Sequence, residues 1–206
     1  MESIIPYGEY LDGHIKVFIL PQYALPDQNK MNVLWNLHPK EKSKVFVHGK
    51  WHDTPRYLQT YMKDYPFSGS TCKVIENLPS EMEVYKYYAN ELTNYLGSFP
   101  INGFLVNWYQ NGSSYIGHHA DKTKIKGKQI LVPGVPILTI SLGQSRTFRI
   151  RDIKTQKKII DISLHHGMVC VMSYEMQSLY HHEITKQSPN VIPGGRISIT
   201  MRRFMD

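Results

Sequence analysis

In the stretch NWYQNGSSYIGHHAD, His119 and Asp121 set an imidazole and a carboxylate two residues apart. Side chains two apart in an extended segment point the same way, so both groups can meet one ion while Ala120 faces the other side. A third ligand has two candidates far downstream, where SLYHHEIT carries His181 and His182 on an expected strand. Two histidines and one carboxylate on one face of an ion leave three coordination positions open. That is the arrangement of non-haem Fe(II) centres that hold a co-substrate and O2 together. Zinc more often takes a closed set or keeps a single open position.

A lone His-x-Asp is a weak signal in a chain with 10 histidines. The run RISITMR adds to it. Arg196, Ser198, Thr200 and Arg202 share one face of an expected strand, and Ile197, Ile199 and Met201 share the other. A rise of roughly 3.3 Å per residue puts the two arginine Cα atoms about 20 Å apart, a gap that two guanidinium side chains can close around a small dicarboxylate. The planar fork of Arg suits a carboxylate better than the point charge of Lys does. A solvent-facing basic strand is the competing reading of the same residues.

These groups need a scaffold, and the chain supplies one domain of 206 residues without repeats or low-complexity linkers. LPDQNKMNVLWNLH predicts a short helix capped by Asp27. EMEVYKYYANELTNYLGS predicts a longer one, with Tyr85, Tyr88, Ala89, Leu92, Tyr95 and Leu96 on its packed face and Gly97 as its stop. From Phe104 onward FLVNWY, PILTISLG, RTFRIRD, KKIIDISL, MVCVMS, LYHHEIT and RISITMRRF read as short strands, which predicts a sandwich or jelly roll with the helices over one outer face. Hydrophobic residues make up 41% and charged residues 20%, with no apolar run long enough to cross a bilayer. Cys72 and Cys170 are too few for a disulfide framework, which fits a reducing compartment. The formal charge of +7 favours polyanionic partners. An intracellular monomer without membrane association is expected.

Taken in order, NWYQNGSSYIGHHAD, ISLGQSRTF, LHHGMVCVM, YHHEI and RISITMR resemble the AlkB family of Fe(II)- and 2-oxoglutarate-dependent dioxygenases, and the likeness runs from about Val45 onward. The resemblance implies an α+β fold with a double-stranded β-helix (jelly-roll) core over about 100–206, N-terminal helices, and a nucleotide-recognition lid over about 45–70. It also implies that His119, Asp121 and His182 bind Fe(II). His182 is preferred to His181 because the family's distal ligand is followed two places on by an aliphatic residue, here Ile184. By the same carry-over Asn107 and Tyr109 contact 2-oxoglutarate, Arg196 with Ser198 holds its C5 carboxylate, and Arg202 faces its other end. His118, His165 and His166 are left to loops or supporting positions.

GKWHDTPRYLQTY and YPFSGS resemble the lid of the nucleic-acid branch of this family. There a flipped base lies between an aromatic ring and the iron-binding histidine. The resemblance gives Phe67 as that ring and Tyr65 as its hydrogen-bonding neighbour, although both also read as packed aromatics. Lys50, Arg56 and the run DKTKIKGK are candidates to meet phosphates. Two departures stand out. Lys122 and Thr123 follow Asp121 where many nucleic-acid members carry an acidic residue that reads the base edge. His48 stands before Gly49-Lys50, where duplex-DNA members carry an apolar wedge. Single-stranded DNA or RNA is therefore expected as readily as duplex. The implied activity is oxidative demethylation of N-alkylated bases in DNA or RNA, consuming 2-oxoglutarate and O2 and releasing formaldehyde, succinate and CO2. A dioxygenase of the same fold acting on a protein side chain, and a non-catalytic nucleic-acid-binding module, are the alternatives.

Overall fold

The computed structural model describes residues 4–47, 49–65 and 72–206. Its first half contains β1 (Ile5–Tyr10), β2 (Ile15–Ile19), α1 (Gln28–Asn36), β3 (Lys44–Val47), β4 (Lys50–Asp53), β5 (Tyr57–Tyr61) and α2 (Glu83–Tyr95). The second half contains β6 (Gly103–Tyr109), β7 (Ile116–His119), β8 (Lys124–Ile125), β9 (Lys128–Gln129), β10 (Ile137–Gly143), β11 (Arg146–Asp152), β12 (Lys158–Leu164), β13 (Met168–Met172), α3 (Met176–Leu179), β14 (Tyr180–Ile184) and β15 (Arg196–Arg202). No described helix is long and apolar enough to cross a membrane.

The expected helices form for the expected reasons. Asp27 caps α1 by accepting a hydrogen bond from the Lys30 amide at 2.8 Å. Gly97, at a positive φ of 67°, ends the turn after α2. The face of α2 buries Tyr85, Tyr88, Ala89 and Leu92. Tyr95, expected on that face, is instead 61% exposed, because the packed stripe ends one turn earlier at Leu92 and Thr93.

Seven strands form one sheet in the order β1-β2-β13-β10-β15-β6-β5, and four form a second in the order β12-β11-β14-β7. Their ladders are antiparallel. Alternation along β15 sorts the two faces of the larger sheet. Ile197, Ile199 and Met201 join Trp108, Leu138 and Val169 in a core that α1 and α2 cover through Leu34, Tyr85 and Leu92. The Trp108 indole reinforces this layer by donating to the Leu34 carbonyl at 2.9 Å. The opposite face turns toward the smaller sheet, where Ile137, Met168 and Cys170 pack with Phe148, Ile162 and Leu164. Two antiparallel sheets with helices outside make an α+β fold with the features of a double-stranded β-helix core.

β1 and β2 were not apparent in the sequence pattern. β2 lies between β1 and β13, with both its faces largely covered, so its residues IKVFI do not alternate. β1 is an edge strand with a register break between Pro6 and Gly8, where its breaking residues are tolerated.

Candidate metal centre

β7 and β14 pair with His119 opposite His182, which sets the two rings 4.4 Å apart between centroids. Asp121 completes the group: the three residues offer ligand atoms that all lie within 4.8 Å of one another. The strand expected through Asp121 stops at His119. The carboxylate is aimed from the loop, held by its own amide, which donates to Gln177 Oε1 at 2.8 Å. His118 and His181 project from the opposite face, their rings tilted against each other with centroids 5.5 Å apart. His165 and His166 lie exposed in the turn between β12 and β13.

Hydrogen bonds orient the ligands. His119 Nδ1 donates to the Gly117 carbonyl at 2.9 Å, which leaves Nε2 unprotonated and facing Asp121 Oδ1 at 4.0 Å. The outer oxygen of Asp121 is held by Arg202, whose Nη2 lies 2.9 Å away. Burial alone raises the Asp121 carboxyl, but Arg202, His182 and His119 outweigh it and hold the pKa down to about 2. Burial, aided by the neighbouring His119, pushes the His182 imidazole down to about 3. Enclosure lowers His119 as well. All three groups are thus in the protonation state a divalent cation needs.

The triad opens into a cavity of about 390 Å³ between the two sheets. Its wall on the larger sheet follows from strand register: Arg196 lies opposite Tyr109, Ser198 opposite Asn107 and Ser141, and Thr200 opposite Thr139. Arg196 is 1% exposed, and its Nε donates to Ser141 Oγ at 2.9 Å. Both its terminal nitrogens lack a hydrogen-bond partner among the described residues. A buried, half-satisfied guanidinium is costly, and a carboxylate satisfies it well. Arg202 at the other end of the strand is 3% exposed. A solvent-facing basic strand is therefore excluded.

Several expected site residues stand elsewhere than supposed. Arg56 does not present itself to phosphates: it is 6% exposed, and its Nε donates to Asn107 Oδ1 at 2.7 Å. It steadies a cavity-wall side chain. Tyr65 is also interior. Its hydroxyl accepts from the Lys122 amide at 2.7 Å and donates to Asp121 Oδ1 at 3.4 Å, while its ring carries the Arg202 cation at 4.2 Å. Lys50 is exposed on the β3–β4 hairpin, beside Trp51. Phe67 and His48 lie outside the described residues.

Arg146 and Gln177 received no role from the sequence. Arg146 is 2% exposed and donates to the carbonyls of Asn111, Gly112, Ser114 and Thr185, tying the loop before β7 to the end of β14. Gly112 makes that close approach possible, since a Cβ there would lie 2.5 Å from the Ser188 carbonyl oxygen. The string ISLGQSRTF contained Arg146, yet nothing in its spacing distinguishes a buried clamp from a surface charge.

Residues 22–202 match the family described as the 2OG-Fe(II) oxygenase superfamily. The chain belongs to this superfamily and is AlkB-like. It is 27% identical to the DNA oxidative demethylase ALKBH2 of Homo sapiens over 173 residues, 79% of this chain and 62% of that one. The chain thus spans less than two thirds of that relative's length. It is 32% identical to an alpha-ketoglutarate-dependent dioxygenase AlkB homolog of Caulobacter vibrioides (strain NA1000 / CB15N) over 107 residues, 50% of this chain and 46% of that one. The solved structure of OsALKBH1 shares the fold with a TM-score of 0.64 at 18% identity, covering 95% of this chain and 100% of that chain. The residues present fit the superfamily's metal: a 2-His-1-carboxylate face suits Fe(II), and His182 Nδ1 is buried without a hydrogen-bond partner among the described residues.

Proposed function

We propose that the oxygenase demethylates N-alkylated bases in DNA or RNA, with single strands accepted at least as well as duplex. The observation that carries this reading is the β3–β4 hairpin. Phe46 and Trp51 stand 48% and 53% exposed on it, 5.3 Å apart between ring centroids, with Lys50 and His52 exposed alongside. Val45 of the same hairpin lines the cavity that holds the triad. Exposed rings beside cationic side chains suit stacked bases and phosphates. The name DNA oxidative demethylase given to the human relative supports the same substrate class.

The overall reaction converts N–CH3, 2-oxoglutarate and O2 to N–H, formaldehyde, succinate and CO2. Fe(II) bound at the triad supplies the oxidation by O2. The chain's own residues do the rest. Arg196 and Ser198 hold the distal carboxylate of 2-oxoglutarate, with Tyr109 and Asn107 along the same wall and Arg202 at the metal end. Leu105, Phe148, Leu164 and Ile184 line the cavity with apolar surface that excludes water. Phe67 is assigned to stack on the flipped base, in a lid over about 45–70 above a catalytic jelly roll over about 100–206.

The test supplies Fe(II), 2-oxoglutarate and methylated oligonucleotides as single and double strands of DNA and RNA, and measures formaldehyde together with succinate. Formaldehyde in step with succinate is expected. Succinate formed without formaldehyde on every oligonucleotide would refute the nucleic-acid reading and leave the oxygenase chemistry standing.

A further inference from the structure

The outer stripe of α2 carries a second group of side chains. Glu83, Tyr87, Glu91 and Tyr95 follow one another four residues apart, so they line the part of the helix turned away from the sheet. Tyr87 and Tyr95 stand 59% and 61% exposed, and Phe99, just beyond the helix, is as open. In a chain of net charge +7 this stretch is acidic: residues 74–99 hold four glutamates and one lysine, with no Asp or Arg. That lysine, Lys86, pairs with Glu83 at 3.4 Å, which leaves Glu91 without a cationic partner among the described residues.

Around Glu91 two rings form a corner. The Tyr23 hydroxyl donates to Glu91 Oε2 and the Tyr87 hydroxyl to Oε1, both at 2.9 Å. Tyr23 belongs to the 3-10 turn Gln22–Ala24, which the buried Ala24 anchors in the core beneath α2, so separate elements fix the two walls. Their ring centroids lie 6.3 Å apart with the planes at 65°, and Tyr23 is itself exposed. A third hydroxyl, that of Tyr88, is buried without a hydrogen-bond partner among the described residues, and burial together with the charge of Glu91 pushes it up to about 12.

Two inclined rings and an unpaired carboxylate attract a cation, and one seated over the corner can lie within the roughly 6 Å of both centroids at which ring faces hold cations. Both carboxylate oxygens already accept from the tyrosines, so the corner offers charge and aromatic surface more than free acceptors. That suits a quaternary ammonium, which has no N–H to satisfy and is less strongly hydrated than the ammonium of lysine. Two open walls hold a small free ion weakly. Tyr95 and Phe99 continue the surface for a chain that carries the cation.

We propose that this face binds a protein segment bearing a trimethylated lysine, with the quaternary ammonium at Tyr23, Tyr87 and Glu91 and the flanking residues on Tyr95 and Phe99. α2 covers the Trp108 side of the larger sheet, whereas the triad cavity opens on its other side, so the contact tethers the oxygenase to a methylated protein and leaves the metal centre free. The tether stands apart from the demethylase reading and does not depend on it.

Fluorescence anisotropy with the full chain tests the proposal, using a labelled Gly-Ser peptide with leucines on both sides of one central trimethyllysine. Matched peptides carry lysine, or a neutral isostere with carbon in place of the quaternary nitrogen. The trimethyllysine peptide should bind about tenfold or more tighter than either. Tyr87→Ala and the near-isosteric Glu91→Gln should each weaken it about fivefold or more, with conversion of 2-oxoglutarate to succinate unchanged. Trp51→Ala removes a comparably exposed ring on the β3–β4 hairpin and should leave peptide affinity as it was. Equal affinity for the three peptides, full binding by either α2 variant, an equal loss in Trp51→Ala, or capture of phosphatidylcholine vesicles without the peptide overturns the proposal.

Discussion

Arg202 takes one oxygen of Asp121 and leaves the other to the metal. Its Nη2 and Nε lie 2.9 and 3.3 Å from Oδ2, while Oδ1 stays 4.0 Å from His119 Nε2. The pair is almost wholly buried, with Arg202 3% and Asp121 6% exposed. The arginine therefore acts as a charge anchor and as a guide that fixes which lone pairs face the ion.

Removing one partner of a buried ion pair leaves the other charge uncompensated and typically costs about 3–5 kcal/mol. Arg202→Met is expected to lower unfolding free energy in urea by an amount in that range. It should also weaken Co(II) binding, because Asp121 loses the strongest of the groups that keep it ionised. A variant as stable as the wild type, with unchanged Co(II) affinity, would remove Arg202 from this role.

The two neighbouring histidines of β14 should behave oppositely. His182→Ala deletes a member of the triad and is expected to abolish 2-oxoglutarate turnover and the visible spectrum of bound Co(II). His181→Ala removes outward contacts with His118 and Gln156, away from the triad, and should preserve both. Circular dichroism of the two variants checks that each keeps its fold.

Arg196→Lys keeps a cation at the end of the cavity but loses the two-pronged fork. Hydrogen bonds to charged groups contribute about 1.5–3 kcal/mol, so affinity for 2-oxoglutarate should fall about 10- to 150-fold. Calorimetric titration with Mn(II) in place of Fe(II) reads this without turnover. An unchanged dissociation constant would place the distal carboxylate elsewhere.

Acid should weaken the metal-free protein earlier than it weakens most folds. His182 is held down to about 3, and His119 is lowered too, chiefly because burial disfavours their charged forms. An unfolded imidazole titrates near about 6.5, so between that value and the folded one the unfolded chain binds more protons, and stability rises with pH. The contribution is complete above about 6.5 and is lost as pH falls toward the folded pKa. Asp121, held at about 2, adds a second loss only under strong acid. Urea midpoints of chelator-treated protein should decline below about pH 6.5 and decline less in His182→Ala. A wild-type profile that matches the variant would contradict this account.

The chemistry was more legible in the sequence than the architecture that supports it. Strict alternation in RISITMR predicted which residues of β15 face the cavity, because a strand with period two has only two faces to fill. Distinguishing His182 from His181 needed the resemblance, since both sit on the same strand. The burial of Arg56 was not legible for a physical reason: the sequence shows a guanidinium near a turn and conceals the Asn107 amide oxygen, 51 positions away, that draws it inside. Arg146 and Gln177 escaped because their partners are backbone groups, which every residue carries and no pattern advertises. β2 escaped because a strand covered on both faces does not alternate.

β15 follows every other strand in chain order yet lies between β10 and β6 in the larger sheet. During synthesis those two neighbours must wait for it, and the slot between them is filled only when Arg196–Arg202 emerges. A nascent or truncated chain lacking that strand has both histidines and Asp121 but neither the anion-holding arginine nor the one that keeps the carboxylate charged. Translation order thus acts as a safeguard: the half-made protein can gather loose iron ligands, but it has no assembled seat for the co-substrate that would make the iron reactive.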